Sequence, residues 1–462
     1  MSSSYTTYIP SLDEIEPLVT EINASYHAYM RATSASPSSD SSQEDEHALL
    51  EQAAALGKAA RQLRALVADP NGWMIEACWS YLDVAALSSV ISMKIPTLIP
   101  AEGRATAEEL SKATGASADI ISTYNPTHSP FNCGHRSIFK ETAPGCYEHN
   151  HHSRRLLDPH FCAFMDYIAD DGMLTGAYLT RNLAKTNFHV GPDNTTTAFC
   201  DAFKTRVPIY EYYGTVDAPR GERFSQGMVG YFEATEKPIE TLFPHFAQLA
   251  PGSTIVDIGA ATGANAIRLI TLYPQLNCVV QDYGDIVSAA ARAAETLPKS
   301  VYDRVVWDGY DYYTPQTQKG AAVYLMSHIL NGNTDELVSP IAFPFLPTST
   351  LPFRPASRCN TRLTVHATTH SKCVKMFQNV VHGMTPGVST LLFLDWVDPP
   401  SFGEDRPRVF DSLDLHMIAQ TNVYSRSLAR WDAMLKRADA RLVRYYTKVE
   451  GNGCAALAVR LE

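Results

Sequence analysis

Residues 254–285, TIVDIGAATGANAIRLITLYPQLNCVVQDYGD, carry the clearest structural pattern in the chain. An apolar, β-rich run leads to Asp257, the small-residue turn GAATG follows at 259–263, and a helical pattern covers 264–271. A second apolar run at 278–280 leads to Asp282. This order predicts a strand, a tight turn, a helix and a second strand with an acid at its tip.

The same segment has the features of a nucleotide-type binding site. A turn of small residues lets the backbone and the helix N-terminus approach a ligand closely. An acid about 20 residues further on suits a bidentate hydrogen bond to a ribose diol. Such a turn also serves packing in many α/β proteins, so it is the combination with Asp282 that favours binding.

Strands and helices alternate from residue 252 onward. Apolar runs predict strands at 254–258, 278–281, 305–307, 323–325, 390–395 and 455–459. Such alternation predicts a mostly parallel, doubly wound α/β sheet.

Composition limits the function classes. The chain has 462 residues and a net charge of -11, with no basic tract, so we expect no nucleic-acid partner. We also expect no membrane span and no secretory leader. The nine cysteines are scattered without CxxC spacing. We therefore expect no metal site and a cytoplasmic location.

Four regions are predicted along the chain. Residues 1–70 are helical with a disordered polar linker at 34–46, and 71–158 combine helices with a β-hairpin around 142–144, as in a winged helix. A helical region at 159–250 precedes the α/β domain at 251–462. The very apolar helix at 73–91 needs a partner, either within the chain or in a second copy.

From about residue 73 onward, the chain resembles the fungal branch of the S-adenosylmethionine (SAM)-dependent small-molecule O-methyltransferases, which are similar to the plant caffeate and flavonoid enzymes. The matching segments include VDIGAATGANA, VVQDYGDIV, WDGYDYYTPQTQKGAAVYLM, SHILNGNTDE and DLHMIAQTNVYSRSLARWDAMLKRAD. The resemblance implies a C-terminal Rossmann-like class I methyltransferase domain and an N-terminal all-α, winged-helix dimerisation region. It also implies SAM as cofactor, a small-molecule substrate and a homodimer.

The resemblance also implies the cofactor contacts. They are the amino-acid end of SAM at Gly259, Ala260 and Gly263, the ribose at Asp282, the adenine at Asp311 and Tyr312, and a nearby lysine at Lys319. The chain departs from the family at Ala261, which replaces the middle glycine of the turn. An added methyl group there can crowd the ligand.

The catalytic positions depart further. The family has His-Asp-Trp where this chain has Asn331-Gly332-Asn333, and the family's His is the general base. Asn cannot remove a proton. The two supporting glutamates fall at Asp395, which keeps a carboxylate, and Ser425, which does not.

His328 remains three residues before Asn331. This spacing places His328 one helical turn before Asn331, and on a helix residues three apart share a face. His328 is then a displaced base or a packing residue, and we favour the packing role.

Three functions remain open. The first is an O-methyltransferase of fungal secondary metabolism that acts on an aromatic or enolic polyketide or alkaloid and relies on positioning. The second is a methyltransferase-like enzyme of a non-methylating pericyclic or dehydration step. The third is a catalytically dead binding or scaffold protein. The expected substrate-pocket wall consists of Met165, Tyr167, Phe203, Tyr210, Tyr213 and Met417.

Residues 337–371 interrupt the family match. The segment has five prolines and neither a helical nor a strand period. Long structureless loops are uncommon in compact domains. The segment is either a loop over the pocket or a retained intron translated in frame, and the proline-bearing segment at 125–134 fits the same explanation.

Overall fold

The chain divides into two compact units, Met1–Leu157 and Asp158–Glu462. The computed structural model describes residues 9–35, 43–124, 138–191, 193–235, 237–330, 372–398, 408–450 and 453–462. Asn331 and the segments 125–134 and 337–371 lie outside the described residues. The finer four-region division stays a prediction.

Three long helices begin the first unit. They are α1 (Leu12–Ala35), α2 (Gln43–Val67) and α3 (Pro70–Ser92). The carboxylate of Asp69 accepts the N–H of Gly72 at 2.7 Å and caps α3, and Pro70 occupies the first helical position. The predicted linker at 34–46 is wrong at both ends, because α1 continues to Ala35 and α2 begins at Gln43. A polar composition reduces apolar burial but leaves helical backbone hydrogen bonding intact.

Helix α3 also corrects the expectation of no membrane-length apolar segment. It has 23 residues with a window of mean hydropathy 1.3, so by length and composition alone it is able to cross a membrane. Only 6% of that window is buried. Small apolar residues such as alanine raise the mean hydropathy of this segment, although it contains no long run of Leu, Ile or Val.

The rest of the first unit is a small α/β assembly. It contains α4 (Ile95–Leu98), β1 (Arg104–Thr106), α5 (Ala107–Thr114), α6 (Ala118–Tyr124), β2 (Lys140–Ala143) and β3 (Cys146–Glu148). The antiparallel strands lie in the order β1-β3-β2. Thr106 and Glu109 form the capping box of α5. The predicted hairpin is present, and its turn at Pro144 and Gly145 uses a positive φ of 71° at the glycine.

Helices open the second unit. They are α7 (Pro159–Tyr167), a π-helix (Ile168–Gly172), α8 (Met173–Ala184), α9 (Ala198–Ala202), α10 (Ile209–Thr215), α11 (Ala218–Thr235) and α12 (Ile239–Leu242). Glycines allow α11 to cross α7 closely. A Cβ placed on Gly230 would lie 2.4 Å from the backbone of His160 and Phe161. Their tight crossing therefore depends on the absence of a side chain at this position.

A seven-stranded sheet follows. Its strands are β4 (Thr254–Ile258), β5 (Asn277–Asp282), β6 (Val305–Gly309), β7 (Val323–Ser327), β8 (Thr390–Trp396), β9 (Leu442–Val449) and β10 (Cys454–Leu461). The order is β6-β5-β4-β7-β8-β10-β9, and β10 is antiparallel to both of its neighbours. The helices are α13 (Ala264–Leu272), α14 (Gly284–Ala294), α15 (Lys299–Tyr302), α16 (Lys372–Val381), α17 (Arg408–Thr421) and α18 (Leu428–Ala438). The predicted mostly parallel α/β fold is confirmed.

Both faces of this sheet are apolar. On β4, Val256 belongs to one buried cluster and Ile255 to a second. A parallel sheet covered on both faces needs such apolar strands. The carboxyl ends of the parallel strands β4, β5, β6, β7 and β8 therefore meet at one edge, where ligands bind in folds of this type.

Candidate active site

The turn after β4 uses left-handed backbone at three positions. The φ angles are +67° at Gly259, +50° at Ala261 and +74° at Gly263. A Cβ on Gly259 would lie 2.7 Å from Cδ1 of Ile329, and one on Gly263 would lie 3.0 Å from Cγ2 of Val280. The positive φ at Ala261 explains why glycine is expected there, since a left-handed non-glycine residue costs roughly 1–2 kcal/mol.

Asp282, at the tip of β5, is joined to this turn. Its Oδ2 accepts the N–H of Ala261 at 2.9 Å, and its Oδ1 accepts the N–H of Tyr283 at 2.8 Å. Burial raises the pKa of Asp282, and the two backbone hydrogen bonds oppose that rise. Each carboxylate oxygen has a second lone pair, so two further hydroxyl donors can be accepted without breaking either bond.

Asp257, inside β4, was not assigned a role from the sequence. It is 2% exposed, and no described atom bonds its Oδ1. Burial raises its pKa to about 7, against a hydrogen bond from the Ala266 backbone, and the charge of Asp282 adds to the rise. An acid within an otherwise apolar strand was the available signal in the sequence.

Tyr312 and Asp311 follow β6, and Tyr312 lies by the same turn. Cε1 of Tyr312 is 3.9 Å from the position of a Cβ on Gly259. The Asp311 carboxylate accepts the N–H of Tyr313 at 2.9 Å. The structure thus brings Tyr312 to the glycine turn that the sequence assigned to the cofactor.

Lys319 has a different set of contacts. Its ammonium donates to the backbone carbonyls of Gln316 and His382, each at 2.8 Å. In this arrangement it links two loops at the surface, and its assignment to the cofactor stays a prediction.

Buried amides support the tip of β5. The carbonyl of Gln281 accepts the N–H groups of Gly259 and Ala260 at 2.7 and 3.1 Å. The side-chain amides of Gln281 and Gln316 bond each other reciprocally at 3.0 and 2.9 Å, and Asp308 accepts from Gln281 at 2.8 Å. Buried amides that are hydrogen-bonded to each other resist displacement. The pair therefore fixes the position of Gln281, whose backbone carbonyl holds the turn.

His328 is not on a helix, which corrects the argument that placed it one helical turn before Asn331. It directly follows β7, with a positive φ of 54°. Its N–H donates to Leu394 at 2.8 Å, and its ring stacks on Phe232 with centroids 4.8 Å apart. The strand period therefore continues further than the sequence suggested, and the helical spacing used to pair His328 with Asn331 does not apply at His328.

The positions of the two supporting glutamates have distinct surroundings. Asp395, in β8, is 1% exposed, and its Oδ1 accepts the N–H of Trp396 at 2.8 Å. The Ser425 hydroxyl donates to Oδ1 of Asp414 at 2.6 Å, and the Ser425 N–H donates to the same oxygen at 2.8 Å. Asp414 of α17 therefore supplies a carboxylate next to Ser425, which has no carboxylate itself. No local sequence pattern reveals this contact.

Aromatic residues of α7, α9, α10 and α11 form one cluster. It contains three residues of the expected pocket wall, Tyr167, Phe203 and Tyr213. Tyr167 meets Phe224 edge-on at 5.2 Å between centroids, and it meets the ring of His416 at 5.8 Å. His416, on α17, was not singled out from the sequence.

A buried acid anchors this cluster. Asp171, in the π-helix, is fully buried and accepts the Tyr213 hydroxyl at 2.7 Å. Arg220 also bonds Asp171, and Arg223 lies 3.2 Å from it. Burial raises the pKa of Asp171, whereas the Tyr213 hydrogen bond and the two guanidinium groups lower it. The arginines hold the π-helix against α11.

The sheet order, the left-handed turn after β4 and the acid at the tip of β5 define the Rossmann-like fold of class I methyltransferases. Comparisons with known proteins place the chain more narrowly. The family described as O-methyltransferase domain matches residues 183–342. O-methyltransferase xanE of Aspergillus fumigatus is 32% identical over 383 residues, which cover 83% of this chain and 79% of that relative. The chain belongs to this SAM-dependent O-methyltransferase family of fungal secondary metabolism.

Solved structures show the same fold. The solved structure described as "A Pericyclic Reaction enzyme" superimposes with a TM-score of 0.71 at 18% identity, over 96% of this chain and 100% of the other. The LepI complex with SAM gives a TM-score of 0.68 at 18% identity, over 95% and 100%. At 18% identity, this similarity establishes a common fold and nothing further.

Proposed function

We propose that the protein transfers a methyl group from SAM to a hydroxyl of an aromatic or enolic small molecule of polyketide or alkaloid type. The observation that supports it most is the link between the left-handed turn and Asp282, both at the carboxyl edge of the parallel strands. That edge is where a SAM-binding fold receives its cofactor.

The residues at this edge have a consistent division of roles. Gly259, Ala260 and Gly263 approach the amino-acid end of SAM, Asp282 accepts the ribose hydroxyls, and Asp311 with Tyr312 flanks the adenine. SAM supplies an electrophilic methyl group when it is bound. The lone pairs left on Asp282 fit this role, because they accept the diol without disturbing the turn.

Acid–base assistance is reduced in this proposal. Asn331 follows Leu330 and offers an amide that orients a hydroxyl but takes no proton. His328 and Asp395 are the remaining candidates in the catalytic group, at the ends of β7 and β8. Positioning supplies a large part of the rate of an in-line transfer. A substrate of low pKa, such as an enol or an acidic phenol, then needs no strong base.

A non-methylating pericyclic or dehydration step is the second candidate. Asn331 in place of the family's base favours it, since shape and neutral hydrogen bonds are sufficient for such chemistry. Incubation with isotopically labelled SAM and a panel of phenolic and enolic metabolites separates the two functions by product mass. A labelled, methylated product supports methyl transfer. A product isomeric with its substrate, formed without loss of SAM, overturns it.

The variant Asn331→His sharpens this comparison. In a methyltransferase it should raise the rate at neutral pH, because general-base assistance is worth about 10²–10⁴-fold. The gain should be partial, since Ser425 lacks a carboxylate of its own. In a pericyclic enzyme the variant should give no methylated product and should slow the native reaction. A protein that binds neither SAM nor any metabolite of the panel is the scaffold alternative.

We also propose a homodimer and a cytoplasmic location. Helix α3 exposes large apolar side chains, each 37–62% accessible: Trp73, Met74, Ile75, Trp79, Tyr81 and Leu82. Exposed patches of this kind mark contact surfaces. Sedimentation equilibrium in detergent-free buffer should give twice the chain mass. Fractionation of the native cell should recover the protein in the cytosolic supernatant, and recovery with membranes would instead favour α3 as an anchor.

A further inference from the structure

Tyr167, Gln420 and His416 form a hydrogen-bonded chain between α7 and α17. The Tyr167 hydroxyl lies 2.6 Å from Oε1 of Gln420 and 3.1 Å from Nε2 of His416. Tyr167 and Gln420 are each 2% exposed, whereas His416 is partly exposed. None of the three takes part in the proposed cofactor site.

The distances assign a direction to this chain. A separation of 2.6 Å suits an O–H···O bond, for which roughly 2.5–3.0 Å is usual, and is short for an N–H···O bond. Tyr167 therefore donates to Gln420, and burial keeps the proton in place by raising the pKa of Tyr167. A hydroxyl has one proton, so the Tyr167 oxygen accepts from Nε2–H of His416.

This direction fixes the tautomer of His416. Burial lowers its pKa to about 4, so the ring is neutral near pH 7. A neutral imidazole carries one N–H, and Tyr167 receives it. The other nitrogen, Nδ1, then carries a lone pair.

Nδ1 of His416 is open to a ligand. No residue in the described part of the chain bonds it, and the His416 side chain is partly exposed. Gly172, the last residue of the π-helix, lies beside this edge of the ring and has no side chain to cover Nδ1. A Cβ on Gly172 would lie 3.4 Å from Cε1 and 3.7 Å from Nδ1 of His416. π-Helical turns occur often at functional sites, and this one stands next to a free acceptor.

We infer that His416 binds the small-molecule substrate, with Nδ1 accepting a hydrogen bond from a neutral phenol or enol hydroxyl. Tyr167 and Gln420 are positioning residues that hold the required tautomer. The inference rests on the proposed function and names a substrate contact for it. A ring this weakly basic accepts a hydrogen bond without removing the proton, so the role is recognition of a hydroxyl over a methyl ether or a carboxylate.

Two amide substitutions separate this role from a structural one. His416→Asn places an amide near the position of Nδ1, and His416→Gln places one near Nε2, where it keeps the contact with Tyr167. The probes are naphthols and hydroxyxanthones, each paired with its own methyl ether. Their affinities are measured by calorimetry on the full chain saturated with S-adenosylhomocysteine, and melting temperatures are recorded for every variant.

The unaltered protein should bind the phenols about 3–10-fold more tightly than the ethers, the size of one net hydrogen bond. That preference should survive in His416→Asn and vanish in His416→Gln, and Tyr167→Phe should weaken it by releasing the tautomer. A purely structural histidine gives the reverse order, with His416→Gln harmless. The inference is overturned by any of three results: the variant order expected of a structural histidine, equal binding of phenols and ethers, or no binding of any phenol.

Methyl transfer from labelled SAM is followed on the same samples. If the protein methylates a phenol and His416→Gln is as active as the parent, the proposed function stands and the role of His416 falls. If the phenol preference depends on Nδ1 but no product forms, the binding role stands and methyl transfer falls.

Discussion

The Asp282 carboxylate has two roles, one observed and one proposed. It bonds the backbone of Ala261 and Tyr283, and it is the proposed acceptor for the ribose diol. Asp282→Ala should weaken SAM binding by about 1–3 kcal/mol, the cost of losing a charged hydrogen-bond partner. Calorimetry with SAM measures the change.

Asp282→Asn is the matched control, because it keeps one carbonyl oxygen for either Ala261 or the ribose. Its affinity should fall between those of the parent and of the alanine variant. A SAM affinity that is the same in all three proteins would remove Asp282 from the cofactor site.

We expect Asp257 to make the stability of the second unit depend on pH. The folded protein holds the Asp257 proton more tightly than the unfolded chain does, because burial raises the pKa from its ordinary value of 3.8 to about 7. The contribution of Asp257 to the free energy of unfolding is fully present below the unfolded-state pKa, and it is lost as pH rises through the folded-state pKa. The loss is on the order of 4 kcal/mol, since one pKa unit corresponds to about 1.4 kcal/mol.

Asp257→Asn removes this titration while keeping a neutral side chain of the same size. Urea unfolding from pH 5 to pH 8 should show a falling stability in the parent and a flatter profile in the variant. Parallel profiles would show that Asp257 does not titrate in this range.

Sequence reasoning reached some residues of the candidate site and missed others for a structural reason. Gly259, Gly263 and Asp282 lie within one local pattern, so their association follows from a single strand–turn–helix–strand unit. Asp414 meets Ser425 across a loop, and His416 meets Tyr167 from another helix. Such contacts depend on how helices pack, which no local period records.

At the scale of elements, the crossing of α7 and α11 depends on small residues. Gly230→Ala would place a methyl group 2.4 Å from the backbone of α7, where no side chain can move away. We expect destabilisation of about 1–3 kcal/mol or more from the forced separation of the helices. Thermal unfolding measures it.

Gly176→Ala is the contrasting variant. Gly176 lies in α8 with nothing within 4 Å of an added Cβ. Helix propensity alone should then stabilise the protein by up to about 1 kcal/mol. If both alanine variants shift the melting temperature in the same direction, close helix contact is not what Gly230 provides.

Element prediction succeeded where the strand pattern was apolar and failed where it was mixed. Six strands of the large sheet contain a largely apolar run, and these runs were predicted as strands. Strand β9, with the sequence LVRYYTKV, was missed because it lies at the edge of the sheet and carries Arg444 and Lys448. An edge strand is partly solvated, so it loses the continuous apolar character of a central strand.

At the scale of the whole molecule, residues 337–371 should be dispensable for folding. The segment lies outside the described residues, and the prediction comes from its composition, which offers little apolar surface for burial. Loop closure entropy grows slowly with length, so deletion should leave the melting temperature equal or higher. A scrambled version of the same length is the control for length alone. Marked destabilisation by deletion, with the native segment required over the scramble, would show specific packing.

The overall topology could be predicted only in part. Alternating strands and helices indicated a parallel order, because short crossovers of one hand give few arrangements. The insertion of antiparallel β10 between β8 and β9 was not predicted, since pairing between distant segments has no signature in their spacing.

The position of β10 has a consequence for biosynthesis. The N-terminal part of a chain leaves the ribosome first. Strand β8 therefore pairs with β7 on one side, but its other edge stays unpaired until β10, residues 454–461, has been synthesised. Until then, the apolar β8 presents an unpaired edge and β9 has no strand to join. The sheet is thus complete only after residues 454–461 have been translated, and until then the exposed apolar edge favours aggregation of the nascent chain.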